Sequence, residues 1–237
     1  MILVTVVTIF PEMFPGPLGH SLLGKSLGKL WNLKTVNIRD FAMDKHNTVD
    51  DSPYGGGAGM VMKADVVDLA MRRAISFYEK LPSILFMTPR GAVFSSDIAR
   101  DIMHDNQNGM IILCGRYEGI DQRVIDFWKE KYCMVEISIG DYILFGGEIP
   151  AIVVIDSCLR FANGIMHNTE STKNESFSAG LLEYPQYTKP AIWNCMEVPK
   201  VLLSGNHKEI ELWRTAQAEK ITKEVRPDVW EKYENKG

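Results

Sequence analysis

The sequence predicts an α/β fold, in which a mostly parallel β-sheet is flanked by helices and followed by a small helical domain. Two observations support this prediction. Short apolar segments, rich in β-branched residues, alternate with longer segments of helical period from residue 2 to residue 161, and such alternation is typical of parallel sheets. After residue 161 the chain turns polar, which indicates a second region of different construction.

The first part of the chain contains two predicted strands and two predicted helices. An apolar strand covers residues 2–10 and ends at Pro11, and an alternating strand covers residues 35–39. Between them we expect a helix over residues 14–30. A helix over residues 63–80 ends before Pro82. The apolar faces of these two helices contain Leu18, Leu22, Leu23 and Leu27, and Val67, Ala70, Met71, Ala74 and Phe77.

Three further strands are predicted, and each leads into a helix. The strands cover residues 84–87, 110–113 and 132–137, and the helices cover residues 95–104, 122–129 and 151–161. Each strand ends in a loop that contains glycine, over residues 88–91, 115–119 and 139–147. Because parallel strands end at the same edge of a sheet, we expect these three loops to converge on one ligand site.

The stretch 138–150 is the most informative of these connections. Its glycines, Gly140, Gly146 and Gly147, permit backbone angles that other residues avoid and let a ligand approach the main chain. Pro150 suits the first turn of the following helix. Taken alone, the stretch is as compatible with an ordinary glycine-rich connection as with a ligand-binding loop. Another glycine-rich loop, residues 50–60, lacks the G-K-[ST] ending of a nucleotide-binding P-loop.

Charge and cysteine content narrow the possible functions. The formal net charge is −4, and residues 181–237 hold nine basic and nine acidic residues. The chain therefore lacks the overall basic excess that is typical of nucleic-acid-binding proteins. Phosphate contacts would have to come from a local cluster or from two chains together. The four cysteines form no C-x-x-C pair and lie in apolar runs, which favours buried thiols in a reducing compartment over disulfides or zinc. The five histidines show no metal-ligand spacing.

We expect a cytoplasmic protein, because no signal peptide precedes the first strand and no apolar run reaches the length of a membrane span. Residues 1–162 are expected to form the α/β domain and residues 163–180 a polar, flexible linker. Residues 181–237 are expected to form the helical domain, with irregular chain up to Pro190 and a helix over residues 207–222. The apolar positions of that helix are Ile210, Leu212, Trp213 and Ala216.

Several motifs in a fixed order resemble those of the bacterial tRNA (guanine-N1)-methyltransferases of the SPOUT superfamily, over nearly the whole chain. None of the motifs is specific alone, but the ordered set is. They are VTIFPEMF at 7–14, SPYGGG at 52–57, CGRYEGID at 114–121, SIGDY at 138–142, GLLEYP at 180–185, YT at 187–188 and LSGNH at 203–207.

The resemblance implies a trefoil-knotted α/β domain that binds S-adenosyl-L-methionine, a linker, and a C-terminal helical domain that binds tRNA. It also implies a homodimer whose active site is shared between the chains. The expected reaction is methyl transfer to N1 of the guanine at position 37 of tRNA, next to the anticodon. The residues alone predict an unknotted doubly wound sheet, because true knots are rare.

The resemblance also assigns binding residues. Residues expected to contact the cofactor are Met87, Thr88, Pro89, Gly91, Gly115, Tyr117, Glu118, Ser138, Ile139, Gly140, Asp141, Tyr142, Ile143, Leu144, Gly146, Gly147 and Pro150. Residues expected to contact tRNA are Tyr54, Gly55, Gly59, Ser171, His207 and Arg214. No metal site is expected.

Two catalytic residues follow from the same resemblance. Glu175 is expected to remove the proton from guanine N1, and Arg160 to stabilise the negative charge that develops on the base. Alternatives stay open for both: Glu170 or Glu183 for the base, and a simple helix-end role for Arg160. The chain departs from the usual family residues at Glu175 (usually Asp), at Phe145 (usually a small hydroxyl residue) and at Lys189 (usually Arg).

Two other classes of function are compatible with the sequence. One is a related SPOUT enzyme that methylates a ribose 2′-hydroxyl or another base, against which the carboxylate in the linker argues. The other is a module that binds S-adenosylmethionine or RNA without turnover. The departures at Glu175, Phe145 and Lys189 leave this second alternative open.

Overall fold

The computed structural model describes residues 1–105, 108–166 and 175–235. Contacts within the chain divide it into two compact units, residues 1–167 and residues 168–237. We describe each unit by itself. The three-part domain organisation with boundaries after residues 162 and 180 stays a prediction.

The first unit is built on a parallel sheet of five strands. Along the chain, its strands and one additional two-stranded ribbon are β1 (Ile2–Thr8), β2 (Trp31–Asn37), β3 (Asp50–Asp51), β4 (Val61–Met62), β5 (Ser83–Val93), β6 (Met110–Cys114) and β7 (Val135–Ser138). The order in the sheet is β2-β1-β6-β5-β7, every neighbouring pair is parallel, and β3 and β4 form the separate ribbon. The predicted parallel α/β architecture is therefore confirmed.

Helices cover both faces of this sheet. They are α1 (Ser21–Ser26), α2 (Ala64–Ile75), α3 (Ser96–Asp105), α4 (Gln122–Tyr132) and α5 (Glu148–Leu159). Helices α3 and α5 pack on one face and α2 and α4 on the other, so the unit has two apolar cores. The central strand β6 is buried at all five positions, with Met110, Ile112 and Cys114 in one core and Ile111 and Leu113 in the other. This explains its continuous apolar sequence.

The region between the first two strands differs from the prediction. Residues 14–30 do not form one helix: a 3₁₀ turn over Gly16–Gly19 is followed by the six-residue α1. Proline and glycine at several positions in this stretch disfavour a continuous helix, and Leu22 is exposed as a result. Strand β2 begins at Trp31, four residues earlier than predicted, because the fully buried Trp31 indole anchors it. Its Nε1 donates to the Leu23 carbonyl over 3.0 Å.

Strand β5 also continues beyond its predicted end. Met87 and Ala92 are both paired with Ile137 of β7, so residues 88–91 leave the ladder and the strand resumes after them. The predicted loop of residues 88–91 is thus a bulge-like interruption of the pairing between β5 and β7. Elsewhere α2 ends at Ile75, and Phe77, predicted on its face, packs against the core from beyond the helix.

The four cysteines are all free, but only two of them are buried as predicted. Burial and the nearby Glu148 carboxylate raise the pKa of the Cys114 thiol, and burial raises the pKa of Cys158 to about 12. Cys133 and Cys195 are exposed, which corrects the prediction: Cys133 caps the C-terminal end of α4, and Cys195 lies in the turn between Trp193 and Met196. No helix in the described part of the chain combines the length and the apolar character that crossing a membrane requires.

The second unit consists mainly of helices. Its elements are β8 (Ile192–Trp193), β9 (Met196–Glu197), α6 (Lys200–Leu203), α7 (His207–Val225) and α8 (Pro227–Glu234). Residues 181–190 are irregular and α7 is present, both as predicted, whereas the β8–β9 hairpin and α8 were not predicted. Of the four apolar positions named for this helix, Leu212 and Ala216 are exposed. The buried positions of α7 are Ala218 and Thr222, and Thr222 Oγ1 accepts from the Leu182 amide over 2.8 Å.

Candidate functional site

The three loops predicted to converge do surround one cavity, at the carboxyl edge of the sheet. Its volume is about 530 Å³. Fifteen of the predicted cofactor residues line it: Met87, Thr88, Pro89, Gly115, Tyr117, Glu118, Ser138, Ile139, Gly140, Tyr142, Ile143, Leu144, Gly146, Gly147 and Pro150. The structure therefore brings together residues that lie up to 63 positions apart in the sequence, from Met87 to Pro150.

Two predicted cofactor residues do not line this cavity. Gly91 lies at the end of the interruption in β5, where a Cβ atom would collide with the Ile137 amide nitrogen. The need for glycine there arises from close approach of two strands, not from a ligand. Asp141 is exposed beside the cavity.

The 139–147 loop holds its shape through local hydrogen bonds. The Gly140 amide donates to Ser138 Oγ over 3.2 Å, and the Tyr142 hydroxyl donates to the Ile139 carbonyl over 3.1 Å. Gly140 has a φ of +142°, and a Cβ atom on it would lie 2.6 Å from the Tyr142 ring. The Tyr142 ring and the Gly140 backbone therefore pack directly on each other in the cavity wall.

A buried ion pair anchors the far end of the same loop. Glu148 begins α5 and is 0% exposed, and its two carboxylate oxygens have different partners. Thr8 Oγ1 donates to Oε1 over 2.7 Å, and Arg116 Nε donates to Oε2 over 2.9 Å. The pair thus joins the ends of β1 and β6 to the start of α5.

The remaining contacts of Arg116 are also within the first unit. Its Nη1 donates to the Phe145 carbonyl over 3.3 Å, and its guanidinium lies 4.5 Å from the centre of the Phe10 ring. A Cβ atom at Gly146 would collide with this guanidinium, and one at Gly147 would come within 2.8 Å of Cys114 Cα. Arg116 therefore fixes the part of the wall where the two loops meet.

Sequence reasoning did not assign a role to Arg116 or to Glu148. Arg116 lies between two predicted cofactor residues, Gly115 and Tyr117, in the CGRYEGID motif. Glu148 gave no clear signal, because an acidic residue is common in the first turn of a helix. The cavity is also lined by Phe86, Arg90, Gly119, Ile120, Ile137 and Phe145. Arg90, Gly119 and Phe145 belong to the loops that were predicted to converge, whereas Phe86, Ile120 and Ile137 were not predicted.

The glycine-rich loop of residues 50–60 lies beside the cavity. Glu118 donates its amide to the Met60 carbonyl over 3.0 Å, and Met62 donates to the Gly119 carbonyl over 2.9 Å. Gly59, which has a φ of +86°, packs so closely on the Glu118 side chain that a Cβ atom would collide with it. The structure therefore joins Gly59, predicted to contact tRNA, to a residue of the predicted cofactor site.

The other predicted tRNA residues of the first unit are at the surface. Tyr54 and Gly55 are exposed, and no atom lies within 4 Å of a Cβ atom built on Gly55. Tyr54 also borders a groove of about 1080 Å³ between the ribbon, α2 and α4. This groove is separate from the cavity described above, although Ile120 lines both.

The two predicted catalytic residues lie in different units. Arg160 is exposed at the C-terminal end of α5. Glu175 belongs to the second unit, where its backbone carbonyl accepts from Ser178 Oγ over 2.7 Å. Ser171 and the alternative base Glu170 lie outside the described residues. His207 and Arg214 are both on α7.

Comparison with known proteins identifies the family. Residues 2–232 match the family model described as tRNA (Guanine-1)-methyltransferase TrmD. Three similar proteins carry the name tRNA (guanine-N(1)-)-methyltransferase. The Wolbachia pipientis wMel protein is 54% identical over 229 residues, 95% of this chain and 94% of its own. The Ehrlichia ruminantium (strain Gardel) protein is 52% identical over 228 residues, with the same two shares. The Zymomonas mobilis protein is 50% identical over 230 residues, 97% of this chain and 90% of its own. This chain therefore belongs to the tRNA (guanine-1)-methyltransferase family.

Proposed function

We propose that this protein transfers the methyl group of S-adenosyl-L-methionine to N1 of guanine in tRNA, at position 37 next to the anticodon. The observation that carries the proposal is the family match over residues 2–232, with relatives that are at least 50% identical over nearly their whole length. The cavity at the carboxyl edge of the sheet supports it, because this is where open α/β sheets bind ligands.

The residues of that cavity fit S-adenosylmethionine. Its volume of about 530 Å³ lies within the range of roughly 300–1,000 Å³ that is usual for sites of small ligands. Ile139 and Leu144 offer apolar surface to an adenine ring, and the backbone of Gly140 and Gly147 forms part of the cavity wall. When bound, the cofactor supplies a methyl group already activated by a positively charged sulfur.

The protein's chemical task is then to orient the base and remove a proton. Guanine N1 keeps its proton at neutral pH, so its electron pair becomes available for the methyl carbon only when a base accepts that proton. We assign this role to the Glu175 carboxylate and the stabilisation of the guanine anion to the Arg160 guanidinium. The target base must also leave its stack to present N1.

The position of Arg160 favours a site shared between two chains. Helix α5 begins at Glu148, beside the cavity, and has 12 residues, so Arg160 lies roughly 18 Å further along the helix. An arginine side chain does not span that distance. We therefore propose that Arg160 acts on the cavity of the partner in a homodimer.

An exposed apolar surface supports the homodimer. Ile149 and Val153 lie one turn apart on α5 and are both exposed, and Phe145, just before the helix, is 97% exposed. Exposed apolar residues that adjoin one another mark interaction sites. A twofold axis through this face would pack α5 against its copy and bring each Arg160 towards the opposite cavity.

The trefoil knot remains part of the proposal. The family resemblance implies it, and the tight packing between the 115–119 and 139–147 loops is compatible with one segment passing through the other. Gly147, for example, donates its amide to the Gly115 carbonyl over 3.0 Å. In the same way, Tyr54, Gly55, Gly59, Ser171, His207 and Arg214 remain the proposed tRNA contacts.

Incubation of the protein with an unmodified tRNA transcript and S-adenosylmethionine tests the reaction. Mass analysis of the digested nucleosides should show 1-methylguanosine, and a transcript with adenine at position 37 should show none. A product methylated on a ribose or on another base would contradict the proposal.

The Glu175→Gln variant tests the catalytic base. It keeps the shape of the side chain and removes its basicity, and loss of a general base typically costs about 10²–10⁴-fold in rate. Single-turnover methylation should fall by this amount while S-adenosylmethionine affinity, measured by calorimetry, stays near wild type. Near-normal methylation would redirect the assignment to Glu170 or Glu183.

Mixed dimers test whether Arg160 acts across the interface. One parent carries Arg160→Ala, and the other carries Gly140→Val, which is expected to disable its own cavity. If Arg160 serves the partner, subunit exchange rebuilds one complete site, and activity should rise above that of either parent. If Arg160 serves its own chain, neither pocket is complete and the mixture stays inactive.

A further inference from the structure

Glu175, the proposed base, belongs to a turn that is closed by its own hydrogen bonds. We call residues 175–183 the 175–183 turn. The Ser178 hydroxyl donates to the Glu175 carbonyl over 2.7 Å, and the Ser178 amide donates to the same carbonyl over 3.1 Å. The Glu183 amide donates to Ser176 Oγ over 3.0 Å, so the two ends of the turn lie side by side. The position of the Glu175 backbone therefore depends on the position of the whole turn.

One residue of the turn has a backbone conformation that its side chain rarely adopts. Phe177 has a φ of +73°, in the left-handed region, which is uncommon for a bulky residue. Its amide donates to the Leu181 carbonyl over 2.7 Å, and its ring centre lies 5.8 Å from Arg226 Cζ. Strained backbone of this kind persists only where the surrounding structure holds it, and it is concentrated at functional sites. The conformation of the turn is thus imposed by its surroundings.

The hydroxyl of Thr222 attaches this turn to α7. Thr222 is fully buried, and its Oγ1 makes two hydrogen bonds. It donates to the Ala218 carbonyl, one helical turn earlier, over 2.7 Å, which is a common bond for a threonine inside a helix. It also accepts from the Leu182 amide over 2.8 Å, across 40 positions of sequence. Because the hydroxyl has one proton, its bond to Ala218 orients the oxygen as an acceptor for the turn.

We propose that Thr222 is a positioning residue for methyl transfer, because it holds on α7 the turn that carries the Glu175 carboxylate. The inference rests on the proposed function, and in particular on Glu175 as the base. A base removes a proton efficiently only from a defined distance, and a misplacement of about 1 Å can cost about 10²-fold in rate. Since Thr222 is fully buried, it acts through the turn and not by contact with a substrate.

Single-turnover methylation of a tRNA transcript by the full-length Thr222→Val protein tests this role. Valine has the shape of threonine but no hydroxyl, so the Leu182 amide loses its acceptor. We expect the rate of the chemical step to fall by about 10- to 100-fold. The affinities for tRNA and for S-adenosylmethionine, measured by anisotropy and calorimetry, should stay within about 2-fold of wild type, because only the base is displaced. Thr222→Ser keeps the hydroxyl and should stay within about 3-fold of the wild-type rate.

Two further measurements separate positioning from a loss of folded protein. Guanine N1 loses its proton to water in the alkaline range, so the deficit of Thr222→Val should shrink as the pH is raised. A variant that is only partly folded would instead lose the same fraction of its rate at every pH. In the Glu175→Gln background, Thr222→Val should cost less than about 2-fold, because the base on which it acts is already absent. Equal losses in the two backgrounds would overturn the proposal.

Thr215→Val provides a matched control. Thr215 is an exposed threonine on the same helix, so the same substitution there should change the rate by less than about 2-fold. Should Thr222→Val fail to fold, Ser176→Ala removes the acceptor of the Glu183 amide at the other side of the turn and should show the same pH-dependent loss.

The possible failures can be told apart. Wild-type rates in both Thr222→Val and Ser176→Ala would overturn the positioning role, and would leave the proposed function intact if the wild type produces 1-methylguanosine. Near-normal methylation by Glu175→Gln would overturn the assignment of the base and this proposal with it. A wild type that forms no 1-methylguanosine would overturn the proposed function itself.

Discussion

Two arginines next to cavities, Arg116 in the first unit and Arg214 in the second, are used in opposite ways. Arg116 contacts a fully buried carboxylate, a backbone carbonyl and an aromatic ring, all within its own unit. Arg214 stacks on one ring and keeps a buried nitrogen without a partner among the described residues. The difference teaches that a cation at a cavity is a ligand candidate only when the fold has not already used its donors.

Replacement of Arg116 should have the largest effect on stability. Arg116→Met leaves the Glu148 carboxylate buried without its ion partner, a change that typically costs about 3–5 kcal/mol. Urea denaturation followed by circular dichroism measures this loss. Arg100→Met, which breaks an exposed ion pair with Asp97, should cost less than about 1 kcal/mol.

A double variant sharpens this prediction. Arg116→Met combined with Glu148→Gln removes both charges, so it should regain much of the stability that the single variant loses. Equal loss in the single and double variants would show that Arg116 stabilises the unit by packing alone.

Gly140→Val should have an intermediate effect on stability and a large one on ligand binding. The φ of +142° is strained for valine, at a cost of about 1–3 kcal/mol, and the side chain would displace the Tyr142 ring in the cavity wall. We expect calorimetry to show no binding of S-adenosylmethionine. Gly28→Val is the control, because Gly28 also has positive φ but lies in open space away from the cavity. Undiminished affinity in a folded Gly140→Val protein would exclude this loop from the site.

Thr8→Val should cost about 1–3 kcal/mol. The Thr8 hydroxyl donates to Glu148 and accepts from the Phe10 amide over 2.9 Å, so its removal leaves the buried Glu148 carboxylate and the partly buried Phe10 amide with one hydrogen bond fewer each. Thr8→Ser keeps the hydroxyl and should be closer to wild type in urea denaturation. If the two variants lose the same stability, the hydrogen bonds are not the cause.

Arg214→Leu should have the smallest effect, within about 0.5 kcal/mol of wild type. It loses the contact with the Tyr184 ring but also removes a buried Nε that has no acceptor in the part of the chain that the structure describes, and these two effects oppose each other. A loss of stability similar to that of Arg116→Met would show that both arginines stabilise the folded protein, and would contradict the difference in role between them.

The sequence predicted the sheet and the convergence of the loops because both follow from local patterns. Apolar segments such as Met110–Cys114 alternate with helical ones, and glycines mark the strand ends. It did not reveal that β5 resumes after residue 91, because the pairing of Ala92 with Ile137 depends on a strand 43 residues further on. The short helix α1 was missed for a local reason, since its leucines fit a longer helix that the surrounding proline and glycine prevent.

The Arg116–Glu148 pair, like the continuation of β5, was not predicted because it depends on residues that are distant in the sequence. Thirty-two residues separate its members, and neither residue type is unusual at its position. Periodicity shows which side of an element is apolar, but not which polar group in another element it meets. The sequence also could not show that Arg214 Nε has no acceptor among the described residues, since this depends on how the second unit packs.

The hydrogen bond between Thr8 and Glu148 also bears on how the chain is made. The two residues are 140 positions apart, so the first strand is synthesised long before the carboxylate that its hydroxyl contacts. At about 5–20 residues per second, the ribosome needs on the order of 10 s to cover that interval. For most of this interval β1 also lacks its sheet neighbour β6, because β6 begins only at Met110. The first unit can therefore complete its sheet and the Thr8–Glu148 hydrogen bond only after the chain has been made as far as α5.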